Sequence, residues 1–201
     1  MINEARLAAV LLAAGPSTRL GQSKQMVTIA GESLVRRTAR MLLGLNPASV
    51  TVVTGCESAT IENELAGLPV GIAFNRYWEQ GMGGSITCGV RHVEGDLDGI
   101  LVMVCDQWRV ELSDLSRLFD VWSADISRIV VANWHEGKAF VSGPPVIFPS
   151  NMIPELKFMT RNRGARQVID RHMDIVEFVD MENAAYDLDR PEDLKLIPGR
   201  K

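Results

Sequence analysis

The chain has 201 residues, of which 46% are hydrophobic and 23% charged, and its formal net charge at pH 7 is −4. A chain of this size buries roughly 70% of its unfolded surface, so its stability requires no disulfide or structural metal, and we expect a single domain over residues 1–201. The acidic balance excludes a general binder of nucleic acids or acidic membranes, because both attract strongly basic surfaces.

The cysteines and the N-terminal sequence indicate where the protein works. Cys56, Cys88 and Cys105 are widely spaced and form no C-x-x-C pair, which is typical of reduced thiols in the cytosol. The apolar run after Arg6 is too short for a membrane-spanning helix and lacks the layout of a signal peptide. We therefore expect a cytoplasmic protein with neither a membrane nor a nucleic acid among its partners.

Strand and helix patterns alternate along the chain. In chain order we predict a strand at 7–14, a helix at 33–43 capped by Ser33, a strand at 49–55, a helix at 58–66, a strand at 70–74, a helix at 85–93, a strand at 99–104, a helix at 112–122, strands at 128–132 and 143–149, helices at 152–159 and 165–172, and a strand at 175–179. The prolines that bound residues 143–149 place that strand at an edge or a bend. Pro191 is suited to the first turn of a closing helix. This alternation predicts an α/β fold with a largely parallel sheet covered by helices.

The loop that follows the first strand has the composition of an anion-binding site. Gly15-Pro16-Ser17-Thr18 is typical of a turn that leaves backbone N–H groups free, and Arg19, Gly21 and Lys24 follow at short range. Free N–H groups and two cations predict a phosphate cradle. The alternative is an ordinary strand–loop–helix turn with solvated basic residues.

Two well-known phosphate loops do not match this stretch. A P-loop has four residues between its glycines and then Lys-Ser/Thr, whereas five residues separate Gly15 from Gly21, and Gln22 follows. The dinucleotide fingerprint G-x-G-x-x-G fails at its second glycine, which is Ser17.

Three aspartates are further candidates for the site. One follows the second fully apolar strand, and two lie in the C-terminal segment. Asp106 is the first charged residue after the run 100–104, and in open α/β sheets ligands bind at this carboxyl edge. It is either a helix cap or a ligand of Mg²⁺, which prefers one or two carboxylates together with phosphate oxygens and water. Asp187 and Asp189 alternate with Tyr186 and Leu188, so an extended chain directs both to one side.

The segment Gly81-Met82-Gly83-Gly84-Ser85 is rich in glycine. Glycines allow the backbone to approach a flat ligand closely, because no Cβ intervenes. The alternative is a flexible surface turn.

Six motifs follow one another along the chain: L-A-A-G-x-S-x-R-x-G-x-x-K at 12–24, G-M-x-x-S at 81–85, the strand and Asp-Gln at 101–107, G-x-P-V-x-F-P at 143–149, Gly-Ala-Arg at 164–166, and D-x-D-x-P-E-D-L at 187–194. Together they cover nearly the whole chain. In this order they resemble the MobA/MocA-like nucleotidyltransferases.

The resemblance implies a three-layer α/β/α, Rossmann-like fold of the glycosyltransferase-A type with a mostly parallel mixed sheet. It also implies Mg²⁺-dependent transfer of a nucleoside monophosphate from an NTP to a phosphorylated acceptor. The Ala-Ala-Gly form of the opening loop is similar to the cytidylyltransferase branch, which uses CTP and molybdopterin. A transient contact with a molybdoenzyme or its chaperone follows from that acceptor.

The resemblance also implies roles for individual residues. Arg19, Lys24 and Asp106 would be catalytic, and Asp106, Asp187 and Asp189 would bind the metal. The implied nucleotide-binding residues are Leu12, Ala13, Ala14, Gly15, Ser17, Arg19, Lys24, Gly83, Gly84 and Ser85.

Two departures from the family pattern concern the acceptor. Trp108 stands where the family has proline, which predicts a bulky indole next to the metal, and Arg161-Asn162 stand where it has Gly-Asp before Gly-Ala-Arg. The alternatives to molybdopterin are another phosphorylated acceptor (a sugar phosphate, phosphocholine or a phospho-alcohol) and a non-catalytic nucleotide or cofactor carrier in which Trp108 blocks the acceptor.

Overall fold

The centre of the fold is a seven-stranded sheet built around the two most apolar runs of the sequence. The computed structural model describes residues 5–159 and 164–198. The strands are β1 (Leu7–Leu12), β2 (Thr28–Ile29), β3 (Glu32–Ser33), β4 (Ser49–Thr54), β5 (Gly71–Phe74), β6 (Gly99–Val104), β7 (Ile129–Glu136), β8 (Ala139–Pro149) and β9 (Val176–Asp180). The large sheet has the order β5-β4-β1-β6-β8-β7-β9, and β2 and β3 form a separate two-stranded ladder.

Within residues 5–159 and 164–198, six α-helices cover the two faces of this sheet. They are α1 (Leu34–Gly44), α2 (Ser58–Glu64), α3 (Met82–His92), α4 (Leu112–Ala124), α5 (Ile153–Lys157) and α6 (Ala165–Arg171). Alternate residues of β1 face opposite layers: Leu11 packs in the core with α1, α2 and α4, and Val10 packs in the core with α3, α5 and α6. A strand buried on both faces must be apolar throughout, which is why Leu7–Leu12 contains no polar side chain; the strand ends two residues before the predicted position 14.

The predicted fold class is confirmed. The layers are helix, sheet and helix, and all strand pairs of the large sheet are parallel except those of β8, which runs antiparallel to β6 and β7. The helix at Leu34–Gly44 begins where it was predicted, because the Ser33 side chain accepts a hydrogen bond from the Arg36 N–H and caps it.

The proline-bounded strand is longer than predicted and does not lie at an edge. β8 lies between β6 and β7 in the interior of the sheet. Its pairing with β7 shifts between Val131 and Ala132, and Pro144 and Pro145 fall in this irregularity, where a missing N–H breaks no regular ladder. Of the two predicted alternatives, an edge or a bend, the structure therefore has the bend.

The glycine-rich segment begins a helix instead of forming a loop. α3 starts at Met82, three residues before the predicted start, and Gly81 precedes it with φ +104°. A side chain is strained at that φ, so glycine is the residue that allows the chain to turn into the helix here.

A third, small core lies beside the carboxyl edge of the sheet. Trp108 packs there with Leu20 of the opening loop, Leu34 of α1 and Leu188 of the C-terminal segment, together with Val27 and Ile197. This cluster fixes two segments that carry predicted site residues against each other.

The closing segment contains a short 3₁₀ helix, Asp193–Leu196, and Pro191 lies in the turn before it, outside the first helical turn that was predicted for it. In the described ranges, no helix is both long enough and apolar enough to cross a bilayer. Arg161 and Asn162, the second departure from the family pattern, lie outside the described residues.

Candidate active site

Two neighbouring parallel strands end at the same edge of the sheet, and each is followed by predicted site residues. β1 and β6 pair in register up to Leu12 and Val104. The loop 13–23 therefore emerges beside Asp106, as expected at the carboxyl ends of parallel strands.

The opening loop is held in shape by a buried glutamine, Gln25, which was not among the predicted site residues. Gln25 Nε2 donates to the carbonyl oxygens of Ala13 (3.1 Å) and Gly15 (2.8 Å). Ser17 Oγ accepts from the Lys24 N–H (2.8 Å) and donates to Gln25 Oε1 (3.2 Å). A side-chain amide can be buried at low cost when its N–H groups donate to loop carbonyl oxygens. No pattern in a single sequence identifies which glutamine forms such bonds.

The C-terminal segment is joined to the strand end that carries Asp106. Gln107 and Asp187 form an isolated antiparallel bridge, the Leu188 N–H donates to the Asp106 carbonyl (3.1 Å), and the Trp108 N–H donates to the Tyr186 carbonyl (3.1 Å). These bonds place Asp187 and Asp189 beside Asp106.

Lys24 is the centre of an ion-pair cluster. Its Nζ donates to Asp106 Oδ2 and to Asp189 Oδ1, the latter at 3.3 Å. Arg19 Nη1 lies 3.5 Å from Asp189 Oδ2 on the solvent side. The structure thus brings together all three residues predicted to be catalytic and two of the three predicted metal ligands, with the third, Asp187, adjacent.

The charges of this cluster act on one another. Burial lowers the pKa of Lys24, but the charge and hydrogen bond of Asp106, with Asp189, outweigh it and raise that pKa above its ordinary value. Burial raises the pKa of Asp187, and the negative charges of Asp106 and Asp189 raise it further. Lys24 and Arg19 offset part of the negative charge of the three aspartates, and the raised pKa of Asp187 reflects the negative charge that remains around it.

Cys105 lies next to this cluster but is not equipped to act in it. Its side chain is fully buried, and burial followed by the charge of Asp106 raises the pKa of its thiol to about 12. A protonated, enclosed thiol is neither a nucleophile nor a metal ligand.

Three cavities meet at Lys24. The main cavity, of about 460 Å³, is lined by Leu12, Ala13, Ala14, Gly15, Ser85 and Asp106 among the predicted residues, and by Trp78 and Met82, which were not predicted. The loop cavity, of about 190 Å³, contains Ser17, Arg19 and Asp189. The acidic cavity, of about 300 Å³, contains Asp106, Asp187 and Asp189 together with Trp134 and Glu136.

The structure separates Gly83 and Gly84 from Ser85. Ser85 lines the main cavity and accepts a hydrogen bond from Asn75 Nδ2 (3.1 Å). Gly83 is buried in the first turn of α3, and Gly84 lines a different cavity beside Asn75 and Arg76. Because the segment is helical, successive residues point in different directions, and only one of the three reaches the main cavity.

The structure corrects the expected position of Trp108. Its side chain is 6% exposed and packs in the small third core, with the Arg109 guanidinium 4.8 Å from its ring centroid. The indole therefore supports the loop from behind and does not obstruct the space in front of Asp106.

Two of the predicted metal ligands, Asp106 and Asp189, are paired with Lys24 in this structure. Across the described residues, no three His, Cys, Asp or Glu side chains are arranged as a ligand set. Asp106 Oδ1 is buried and has no hydrogen-bond partner within the described part of the chain. A buried carboxylate oxygen without a donor is costly unless a ligand or ion satisfies it.

The sequence and the fold both match known proteins. The family model described as the MobA-like NTP transferase domain matches residues 9–176. The purine catabolism protein PucB of Bacillus subtilis (strain 168) is 30% identical over 175 residues, which cover 81% of this chain and 80% of PucB.

Solved structures share the fold over almost the full length. Rv0371c from Mycobacterium tuberculosis H37Rv aligns with a TM-score of 0.83 and 21% identity over 98% of both chains. A second structure of Rv0371c is a complex with manganese. A nucleotidyl transferase from Methanothermobacter thermautotroptrophicus, Mth528, aligns with a TM-score of 0.78 and 20% identity over 96% of both chains.

Proposed function

This chain belongs to the MobA-like NTP transferase family, and we propose that residues 1–201 form one nucleotidyltransferase domain that transfers a nucleoside monophosphate to a phosphorylated acceptor. Nucleotidyl transfer is the chemistry of the family. The nucleotide, the acceptor and the roles of individual residues are proposals about this protein.

The observation that carries the proposal is the convergence on Lys24. A cation from the loop after β1 contacts one carboxylate from the end of β6 and another from the C-terminal segment, and cavities open on either side of it. This arrangement suits a triphosphate whose charge must be neutralised at its centre. An ordinary solvated turn does not need it.

In the proposed reaction an oxygen of the acceptor phosphate attacks the α-phosphorus of the NTP. The new P–O bond forms as the bond between the α-phosphorus and the bridging oxygen breaks, and that oxygen leaves with pyrophosphate. The attacking oxygen is already anionic, so no strong general base is needed. Lys24 and Arg19 hold the triphosphate and offset its charge, and Ser17 and the N–H groups of the loop position it.

Asp106, Asp187 and Asp189 are the proposed ligands of Mg²⁺. The unpartnered Asp106 Oδ1 and the raised pKa of Asp187 both fit a cation at this position. The manganese complex of Rv0371c supports a divalent ion in a protein of this fold. When bound, the ion would neutralise negative charge on the phosphates.

CTP is the proposed nucleotide and molybdopterin the proposed acceptor. Both rest on the Ala-Ala-Gly form of the opening loop at 13–15. The main cavity suits a base and ribose, because it is lined by Leu12, Ala13, Ala14 and Gly15 together with Ser85, which carries a hydroxyl. Gly83 and Gly84 would contribute only through the turn that places Ser85. A transient contact with a molybdoenzyme or its chaperone would pass the product on.

The proposal is tested by two measurements. CTP and GTP are titrated with Mg²⁺ by calorimetry, and pyrophosphate is then assayed with molybdopterin present. We expect CTP to bind more tightly than GTP, and pyrophosphate to appear only with the acceptor. Turnover with a sugar phosphate, phosphocholine or a phospho-alcohol, but not with molybdopterin, would identify that compound as the acceptor. Tight nucleotide binding without turnover on any of these compounds would indicate a non-catalytic carrier.

A further inference from the structure

We propose that a cavity on the side of α3 away from the main cavity is a second ligand site, which binds a phosphate ester that carries an aromatic ring, such as a nucleoside monophosphate. This outer cavity has a volume of about 450 Å³ and is lined by residues of α3 and of the segment between β5 and α3. Ser85 lines the main cavity, whereas Thr87 and Arg91, on another face of the same helix, line the outer one.

Basic side chains gather at the outer cavity. Arg76 follows β5, and Arg91 and His92 lie in the last turn of α3. None of the described residues that line the cavity is Asp or Glu, although the chain as a whole has a formal net charge of −4. A helix C-terminus favours cations, which accounts for Arg91 and His92 but not for Arg76, which precedes the helix. The outer cavity is therefore a positive site on an acidic protein, and such a site attracts an anion.

Contacts with neutral groups hold both arginines in place. Arg91 Nε donates to the Lys157 carbonyl oxygen (2.9 Å), and the guanidinium carbon lies 5.5 Å from the Phe158 ring centroid. The guanidinium carbon of Arg76 lies 5.1 Å from the Tyr77 ring centroid. In the described part of the chain, no carboxylate forms an ion pair with either arginine. Guanidinium groups that are held but not neutralised suit a phosphate, because its oxygens match their planar set of N–H donors.

Exposed aromatic rings supply another part of the wall. Phe74 is 56% exposed and Tyr77 is 48% exposed. Aromatic side chains in such positions offer a flat surface on which the ring of a ligand stacks. The volume of the cavity falls in the range of small-molecule sites, roughly 300–1,000 Å³. Stacking surface beside phosphate-binding groups favours a nucleoside monophosphate over a phosphate ester without a ring.

Asn75 links the outer cavity to the main cavity. It lines the outer cavity, and its Oδ1 accepts from the Tyr77 N–H (3.0 Å). Its Nδ2 donates to Oγ of Ser85 (3.1 Å), which lines the main cavity. A ligand that contacts Tyr77 therefore acts on the position of the Ser85 hydroxyl, and each ligand should change the affinity of the other. This coupling rests on the proposed function, whereas the outer site itself does not.

Calorimetry without divalent ions tests the site, because arginines bind a phosphate without a metal and the proposed main site uses Mg²⁺. The probes are AMP, ribose 5-phosphate, which lacks the aromatic ring, and adenosine, which lacks the phosphate. The variants are Arg76→Gln, Arg91→Gln and Lys24→Ala. The control is Arg40→Gln, which changes an exposed arginine of α1 that does not line the cavity. Thermal unfolding checks that each variant is folded.

We expect one AMP to bind the parent protein, Lys24→Ala and Arg40→Gln with equal affinity. Arg76→Gln and Arg91→Gln should each weaken AMP binding by at least about 10-fold, as loss of a hydrogen bond to a charged group does. Ribose 5-phosphate and adenosine should each bind at least about 10-fold more weakly than AMP. In a second titration with Mg²⁺, saturating AMP should change the affinity for CTP by about 5-fold or more, and Arg76→Gln should abolish this change.

Three results would overturn the second site: no binding of AMP to the parent protein, unchanged AMP affinity in both arginine variants, or loss of AMP binding in Lys24→Ala, which would place AMP in the main cavity. Equal affinity for AMP and ribose 5-phosphate would overturn the assigned ligand class. CTP affinity that does not respond to AMP would overturn the coupling. If AMP binds as expected and CTP does not bind with Mg²⁺, the proposed function fails and the outer site stands.

Discussion

The ammonium group of Lys24 lies 3.3 Å from Oδ1 of Asp189, although 165 positions separate the two residues in the chain. Asp189 reaches this position because the Asp187 segment pairs with Gln107, directly after Asp106. The proposed site therefore depends on three parts of the chain that meet only in the folded protein: the loop after β1, the end of β6 and the C-terminal segment.

The first prediction concerns Lys24 and Asp106. Lys24→Ala or Asp106→Asn should lower turnover by at least about 100-fold, because each removes charge that the transition state requires. Pyrophosphate release measures the effect, and circular dichroism checks that the fold is intact. Lys138→Ala, which removes an exposed lysine in the β7–β8 turn, is the control and should keep full turnover. Near-normal pyrophosphate release by both site variants would refute their assignment.

The second prediction is that Asp187→Asn changes stability and metal binding in opposite directions. The pKa of Asp187 is raised in the folded protein, so the folded state binds more protons than the unfolded state, and stability falls as pH rises through the window above the ordinary aspartate pKa of about 4. The Asp187→Asn variant has no carboxyl group to ionise at this position, so its stability does not fall in this way as the pH rises. Without metal at pH 7 it should therefore unfold at a higher temperature than the parent protein, and below pH 4 the difference should vanish.

The same variant should bind Mn²⁺ more weakly, which the electron paramagnetic resonance signal of free Mn²⁺ measures. Asp120→Asn, an exposed carboxylate on α4, serves as the control for both measurements. A variant that is less stable than its parent at pH 7 would contradict the proposed crowding of carboxylates.

The third prediction concerns the loop. Gln25→Ala leaves the carbonyl oxygens of Ala13 and Gly15 without their donor, and this should cost about 1–3 kcal/mol of unfolding free energy. It should also weaken nucleotide binding, because the loop loses its fixed shape. Urea unfolding and CTP calorimetry measure the two effects. Gln22→Ala, an exposed position in the same loop, should change neither, and equal behaviour of the two variants would exclude this role.

The fourth prediction compares two glycines of α3. A Cβ at Gly89 would meet Val10 and lie 2.7 Å from Val53 Cγ2, whereas at Gly84 its nearest neighbour is Asn75 Nδ2 at 3.8 Å. Gly89→Ala should be destabilising, because overpacking of about 1–3 kcal/mol exceeds the helical preference for alanine. Gly84→Ala should be neutral or stabilising by up to about 1 kcal/mol. Thermal unfolding distinguishes them, and CTP affinity of Gly84→Ala shows whether that glycine contacts the nucleotide.

The elements that the sequence predicted well are those whose burial dictates their composition. β1 and β6 are buried on both faces, so their apolar runs fixed their position, and Ser33 marked the start of α1 by its own capping bond. The strand 143–149 was predicted at an edge or a bend because its prolines indicate an irregular ladder, and only the pairing of β8 with β7 reveals that the irregularity lies inside the sheet.

Strand order and the motif resemblance together predicted part of the candidate site. Lys24, Asp106 and Asp189 were predicted as a group and do meet, while their individual roles stay predictions. Gln25, Trp134 and Glu136 were missed, because the contacts that bring them to the site form only after the loop and β7 have been placed. The direction of Trp108 could not be predicted either, since it depends on the small core assembled from three distant segments.

That small core also has a consequence for synthesis of the protein. Trp108 and Leu20 bury their surfaces against Leu188, so the opening loop lacks part of its support until that residue is available. A nascent chain still attached to the ribosome before position 189 has emerged would hold Lys24 without its distant carboxylate. We therefore expect activity to appear only after the C-terminal segment has left the exit tunnel, however early the sheet itself forms.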